Sequence, residues 1–72
     1  MESTEIVTFI TRHFALIRRA THPDTVANHS NYARGLIAMA CCTGDLACAD
    51  ELALTKECER AVTETIRQLA KK

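Results

Sequence analysis

Two short interruptions divide this chain into three stretches with a helical repeat, and they restrict the fold more than any other feature. THPD at positions 21–24 contains the only proline among 72 residues, and TGD at positions 43–45 contains one of two glycines. Proline favours the first position of a helix and disfavours helix at the preceding residue. Glycine just after a helix is the expected left-handed terminator. We predict helices over about 3–20, 23–42 and 47–70, with Asp45 capping the third.

Within each stretch, apolar residues recur at intervals of three and four positions, which is typical of amphipathic helices. The predicted core stripes are Ile6, Ile10, His13, Ile17 and Ala20; then Val26, Ser30, Ala33, Ile37 and Ala40; then Cys48, Leu52, Thr55, Val62, Ile66 and Leu69, widened by Leu54, Cys58 and Ala61. The polar run NHSN at 28–31 leaves open whether the second helix is continuous or breaks there, with Ser30 as a second cap. Gly35 in the same helix could allow another backbone to approach closely.

The connections between the predicted helices are short, and short connections imply antiparallel neighbours. We therefore predict an all-α fold, a single helical domain over 1–72, built on an antiparallel hairpin of the second and third helices. A chain of this length buries only about 60% of its unfolded surface. The apolar stripe of the third helix is broad for a three-helix monomer, so we expect a homodimer, most often twofold symmetric.

Charge and hydropathy limit the classes of partner. Nine Lys and Arg balance nine Asp and Glu, whereas binding led by phosphate contacts usually needs a basic excess. No apolar run reaches the roughly 18 residues that cross a bilayer, so we expect no membrane partner. The acidic, hydroxyl-rich start MESTEIVTF is unlike a secretory signal. We expect a cytoplasmic protein with reduced cysteines.

Three of the four cysteines lie in the segment MACCTGDLAC at 39–48. Their spacing lacks the paired Cys-x₂₋₄-Cys elements of structural zinc sites, so we predict no metal and no cofactor. A Cys42–Cys48 disulfide is sterically possible across the turn, but the nearby carboxylates of Asp45, Asp50 and Glu51 disfavour the reactive thiolate. We interpret the cysteines mainly as small apolar residues, with Cys48 and Cys58 on or beside the core stripe. A cysteine-based zinc or redox module is the third-ranked function.

The sequence also disfavours catalysis. It has no Gly-rich phosphate loop, His-Glu-x-x-His element or nucleophile elbow. Three short helices leave little room for a pocket of several hundred cubic ångströms. His13, on an apolar stripe, is interpreted as a core or interface histidine; at a dimer interface it would make assembly pH-sensitive. We predict that the protein is not an enzyme.

The leading prediction is a protein–protein interaction module that acts by burying a helix face on a partner. The predicted partner-binding residues are those left exposed if the core takes the main stripes: Tyr32, Leu36, Met39 and Leu54. The alternative is a dimeric DNA-binding regulator. Its nucleic-acid-binding residues would be Arg18, Arg19, Asn31 and Arg34, with a helix-turn-helix over 25–34 that lacks the glycine expected in its turn.

The segments YARGLIAMA at 32–40 and TGDL at 43–46, followed by Asp50, Glu51 and Leu54, resemble the helix–Gly-Asp-Leu/Ile–helix hairpins of small bacterial prophage and plasmid proteins. The resemblance covers about half of the chain and rests on a turn and apolar spacing. It implies a small accessory protein, an adaptor or regulator that binds a host or phage protein. The cysteines are not part of that pattern.

Overall fold

The computed structural model describes residues 3–71 as a bundle of three α-helices, each in contact with the other two. Helix α1 spans Ser3–Arg18, α2 spans Pro23–Cys42 and α3 spans Cys48–Ala70. Residues 3–71 contain no strand, which confirms the all-α prediction. Helix α1 ends two residues earlier than predicted and α3 begins one residue later. Met1, Glu2 and Lys72, which the domain prediction included, lie outside the described residues.

Helix α2 is continuous. Pro23 occupies the first helical position after an extended His22 (φ −134°, ψ 145°), as the proline predicts. The helix continues through 28–31, so of the two alternatives that the sequence leaves open, the unbroken helix is the correct one. Ser30 therefore caps no second helix, and its side chain is buried in the core.

The turn after α2 depends on Gly44. This residue adopts the left-handed conformation, with φ +81°, as predicted. The Asp45 N–H donates to the Ala40 carbonyl at 2.9 Å and the Gly44 N–H donates to the Cys41 carbonyl at 3.2 Å. These two hydrogen bonds define a Schellman motif, which satisfies carbonyls at the end of the helix.

Asp45 does not cap α3, contrary to the sequence prediction. The N-cap residue is Ala47, which makes no side-chain cap, so Asp45 lies two positions too early. Its carboxylate instead accepts a hydrogen bond from the Thr43 hydroxyl at 2.7 Å. That contact lies within the turn that joins the two helices.

The core lies between all three helices. Its buried apolar residues are Ile6, Ile10, Phe14, Ile17, Val26, Ala33, Ile37, Ala40, Leu46, Leu54, Cys58 and Ala61. All five residues predicted for α2 are buried. In α1 the stripe runs through Phe14, and His13 is only half-buried.

The face that α3 turns toward the core differs from the prediction. Its buried residues are Leu54, Cys58, Ala61 and Thr65. In the predicted main stripe, Leu52 is 58% exposed, Ile66 is 39% exposed and Cys48 is exposed. On this face the small side chains of Cys58 and Ala61 are completely buried, and Cys58 contacts Ser30 of α2.

Two further expectations can be compared with the fold. A Cβ placed on Gly35 would meet nothing within 4 Å, so no other backbone within residues 3–71 closely approaches this glycine. Across residues 3–71, no helix combines the length and apolar character needed to cross a membrane.

Candidate interaction groove

An open apolar groove of about 360 Å³ lies between α1 and α2. Its lining residues are Ile6, Phe9, Ile10, Tyr32, Leu36, Met39, Ala40, Thr43 and Asp45. We call it the α1–α2 groove. Its volume lies at the lower end of the range of small-molecule sites, but the groove is open to solvent along its length rather than enclosed.

The walls of the groove carry large exposed side chains above a buried floor. Phe9 is 43% exposed, Tyr32 57% and Met39 64%, whereas Ile6 and Ile10 are buried. Phe, Tyr and Met are the apolar residues enriched at protein interfaces. The exposed walls are therefore composed of the side chains that interfaces use most.

Three of the four predicted partner-binding residues line this groove. Tyr32 and Met39 are exposed and Leu36 is half-buried. The expectation that Leu54 is exposed is wrong: it is 7% exposed in the core, on the inward face of α3. The sequence analysis did not predict Phe9 as a partner-binding residue. Phe9 precedes Ile10 by one residue and so lies off the core stripe of α1, and this position could have indicated that it is exposed.

A cluster of rings surrounds His13 next to the groove. The His13 ring centroid lies 4.7 Å from Tyr32, 5.8 Å from His29 and 6.2 Å from Phe9. Its buried Nδ1 atom has no hydrogen-bond partner among the described residues. Burial lowers the pKa of His13, and the charges of His29 and Arg12 lower that pKa further. These effects favour the neutral form of the ring.

Arg12 provides a cation at the same side of the groove. Its guanidinium carbon lies 5.6 Å from the centre of the Phe9 ring, which is within cation–π range. Arg12 is exposed. A ligand that covers Phe9 would therefore meet a positive charge at the edge of the apolar surface.

The residues of the DNA-binding alternative are all exposed. Arg18 ends α1, Arg19 follows it, and Asn31 and Arg34 lie within α2. The described α2 has no turn between residues 25 and 34, so the helix-turn-helix considered for that segment is wrong. Exposure alone does not distinguish these side chains from an ordinary solvated surface.

The four cysteines occupy different environments. Cys58 is buried, Cys41 half-buried, and Cys42 and Cys48 exposed, all as free thiols. Placing Cys48 on the core stripe was therefore wrong, and Cys58 was placed correctly. Among residues 3–71, no group of three or more His, Cys, Asp or Glu side chains is positioned to hold a metal ion.

Glu51 controls the chemistry of Cys41. A hydrogen bond to the Glu51 carboxylate, with desolvation, the charge of Glu51 and the neighbouring Cys48, raises the pKa of Cys41 to about 11. The sequence prediction that nearby carboxylates oppose the thiolate is confirmed at this residue. A thiol held neutral in this way is a poor nucleophile.

No family model matches the chain, and neither a curated protein nor a solved structure is detectably similar to it.

Proposed function

We propose that this protein is a non-enzymatic interaction module that binds the apolar face of a partner protein's helix in the α1–α2 groove. The observation that carries the proposal is the exposure of Phe9, Tyr32 and Met39 around one groove. Large apolar side chains that stay in water gain most when a partner covers them. Aromatic anchors in such grooves typically dominate binding free energy.

The dimensions of the groove fit a short amphipathic helix. Its α2 wall runs from Tyr32 to Ala40, a distance of about 12 Å at 1.5 Å per residue. That length matches about two turns of a partner helix, with apolar anchors spaced i, i+3 or i+4, and i+7. Arg12 at the Phe9 side favours a carboxylate next to the first anchor.

The proposal also includes the class of protein and its assembly, both of which are inferred from the sequence. We infer a small cytoplasmic adaptor or regulator of the bacterial prophage and plasmid kind, assembled as a homodimer. We also infer that α2 and α3 form an antiparallel hairpin. The short connection over 43–47 and the contact between Ser30 and Cys58 support this arrangement.

Site-specific photocrosslinking in the native host tests the groove. A benzoylphenylalanine at position 32 replaces an exposed aromatic wall residue with a similar ring, and the same group at the exposed Ala53 on α3 is the control. We expect a discrete protein adduct from position 32 and none from position 53. Absence of an adduct at position 32, or an adduct that disappears after nuclease treatment, would contradict the proposal and return attention to nucleic acid.

Affinity measurements with the captured partner then test individual anchors. Tyr32→Ala and Met39→Ala should each weaken binding by about tenfold or more, as expected for anchor residues. Leu16→Ala is the control because Leu16 is a half-buried apolar residue of α1 that lies outside the groove. Equal losses for all three variants would indicate nonspecific apolar adhesion.

A further inference from the structure

We propose that a second copy of the chain packs antiparallel against α3, along a seam formed by Leu52, Thr55, Val62, Ile66 and Leu69. We call these residues the α3 seam. The inference rests on the homodimer of the proposed function and gives that dimer a surface separate from the α1–α2 groove.

The α3 seam has the spacing of a coiled-coil contact. With Glu59 included, its positions are separated alternately by three and four residues, which is the a/d pattern of a heptad repeat. The core uses Leu54, Cys58, Ala61 and Thr65, a face about 100° away around the helix. One helix therefore has two apolar faces, and its own chain fully buries only one.

The α3 seam is only partly covered in the isolated chain. Leu52 and Ile66 are exposed, Thr55 is half-buried, and Val62 and Leu69 are half-buried against the edge of the core. The chain exposes 4912 Å², whereas a compact monomer of its 8.0 kDa mass exposes about 4,450 Å². The elongated shape of the body, 41 Å by 18 Å by 15 Å, accounts for this excess.

Charge selects the orientation of the second copy. Glu59 lies in the middle of the α3 seam, and Lys56 is exposed beside it. A parallel, in-register pair would place Glu59 against the partner's Glu59, and like charges opposed in this way are destabilising. An antiparallel pair whose twofold axis passes near residue 57 places Glu59 next to the partner's Thr55 and the partner's Lys56.

The same antiparallel register brings apolar positions together. Leu52 lies opposite the partner's Val62, and Ile66 lies opposite the partner's Cys48, whereas Leu69 extends past the first residue of the partner's α3. Antiparallel packing also pairs the helix dipoles favourably.

Sedimentation equilibrium of matched variants tests the seam. Leu52→Glu should raise the dimer dissociation constant at least about tenfold, whereas Met39→Glu in the α1–α2 groove should leave it unchanged; far-ultraviolet circular dichroism verifies that both variants stay folded. A dimer that survives Leu52→Glu but dissociates with Met39→Glu would place the second copy in the groove and overturn the seam. A wild-type chain that is monomeric up to its solubility limit would overturn the seam and the dimer, while groove binding would still be decided by photocrosslinking.

Disulfide trapping tests the orientation, in a background with Cys41, Cys42 and Cys48 replaced by serine. A mixture of Leu52→Cys and Val62→Cys chains should give a crosslinked heterodimer under mild oxidation, and neither variant alone should crosslink efficiently. Efficient crosslinking of Leu52→Cys alone would indicate a parallel pair and contradict the proposed register.

Exchanging the two charges provides a second test of the orientation. Glu59→Lys should weaken the dimer, and Glu59→Lys combined with Lys56→Glu should restore it.

Discussion

The hydroxyl oxygen of Ser30 on α2 lies 3.8 Å from the sulfur of Cys58 on α3, and both side chains are buried. This contact joins the only polar side chain in the predicted α2 stripe to a thiol that is completely excluded from water. It satisfies a hydroxyl that would otherwise lose its hydrogen bond to water on folding. A sulfur partner makes a weak hydrogen bond. The contact therefore adds little to the free energy of unfolding, and its main effect is to reduce the cost of burying the Ser30 hydroxyl.

We expect Cys58→Ala to cost about 1–2 kcal/mol, since it removes a buried atom and leaves the Ser30 hydroxyl unpaired. Ser30→Ala should cost less than about 1 kcal/mol, since Cys58 packs well as a small apolar residue. Urea denaturation of the two single variants and the double variant forms a double-mutant cycle. A coupling of about 0.5 kcal/mol is expected; strict additivity would show that the contact carries no energy.

The two ends of α2 were predictable because local residues determine them. Pro23 fixes the start of α2 and Gly44 fixes its end, whatever packs around them. The α2 stripe was equally clear, because its apolar and small residues form one narrow face. In α3 the apolar arc is wider than the contact with α1 and α2, so the repeat alone could not tell which part of the arc faces inward. Leu54 was misplaced for this reason.

The groove was only partly predictable. The exposure of Tyr32 and Met39 follows from their positions beside the α2 stripe, which sequence alone provides. The rings of His13, His29 and Tyr32 come together through the packing of α1 on α2, and no spacing along the chain predicts that contact. The pairing of Cys41 with Glu51 also depends on how the turn folds α3 back toward the end of α2.

The two glycines should respond oppositely to alanine. Gly44→Ala places a side chain at φ +81°, which should destabilise the protein by about 1–2 kcal/mol. Gly35→Ala should stabilise it by about 0.5–1 kcal/mol, because the residue lies within α2 and its Cβ would meet open space. Thermal denaturation of both variants measures the difference. A destabilising Gly35→Ala would indicate that a second chain approaches α2 at that glycine.

Cys41 should react slowly with alkylating reagents because its pKa is raised to about 11, chiefly by its hydrogen bond to Glu51. Glu51→Ala removes both the hydrogen-bond acceptor and the charge, and it should increase the alkylation rate of Cys41 at pH 8 by about tenfold. The exposed Cys42 and Cys48 serve as internal references in the same peptide-resolved mass spectrometry experiment. An unchanged Cys41 rate in Glu51→Ala would show that Glu51 does not hold the thiol neutral.

His13 should make the fold less stable in mild acid. Its pKa in the folded chain is below the ordinary value of 6.5, first because of burial and then because of the charges of His29 and Arg12. Well above pH 6.5, His13 is neutral in both states and contributes no pH dependence. As the pH falls below 6.5, the unfolded chain binds the proton first, so the free energy of unfolding decreases until the pH passes below the folded pKa.

Urea denaturation at pH 7.5 and pH 5.5 measures this loss of stability. His13→Gln should reduce the difference in the free energy of unfolding between the two pH values, because the group with the lowered pKa is gone. His22→Gln is the matched control, since His22 is exposed at the start of α2 and makes no side-chain cap. If His13→Gln keeps the full pH dependence and His22→Gln does not, then the acid sensitivity does not come from the ring cluster beside the α1–α2 groove.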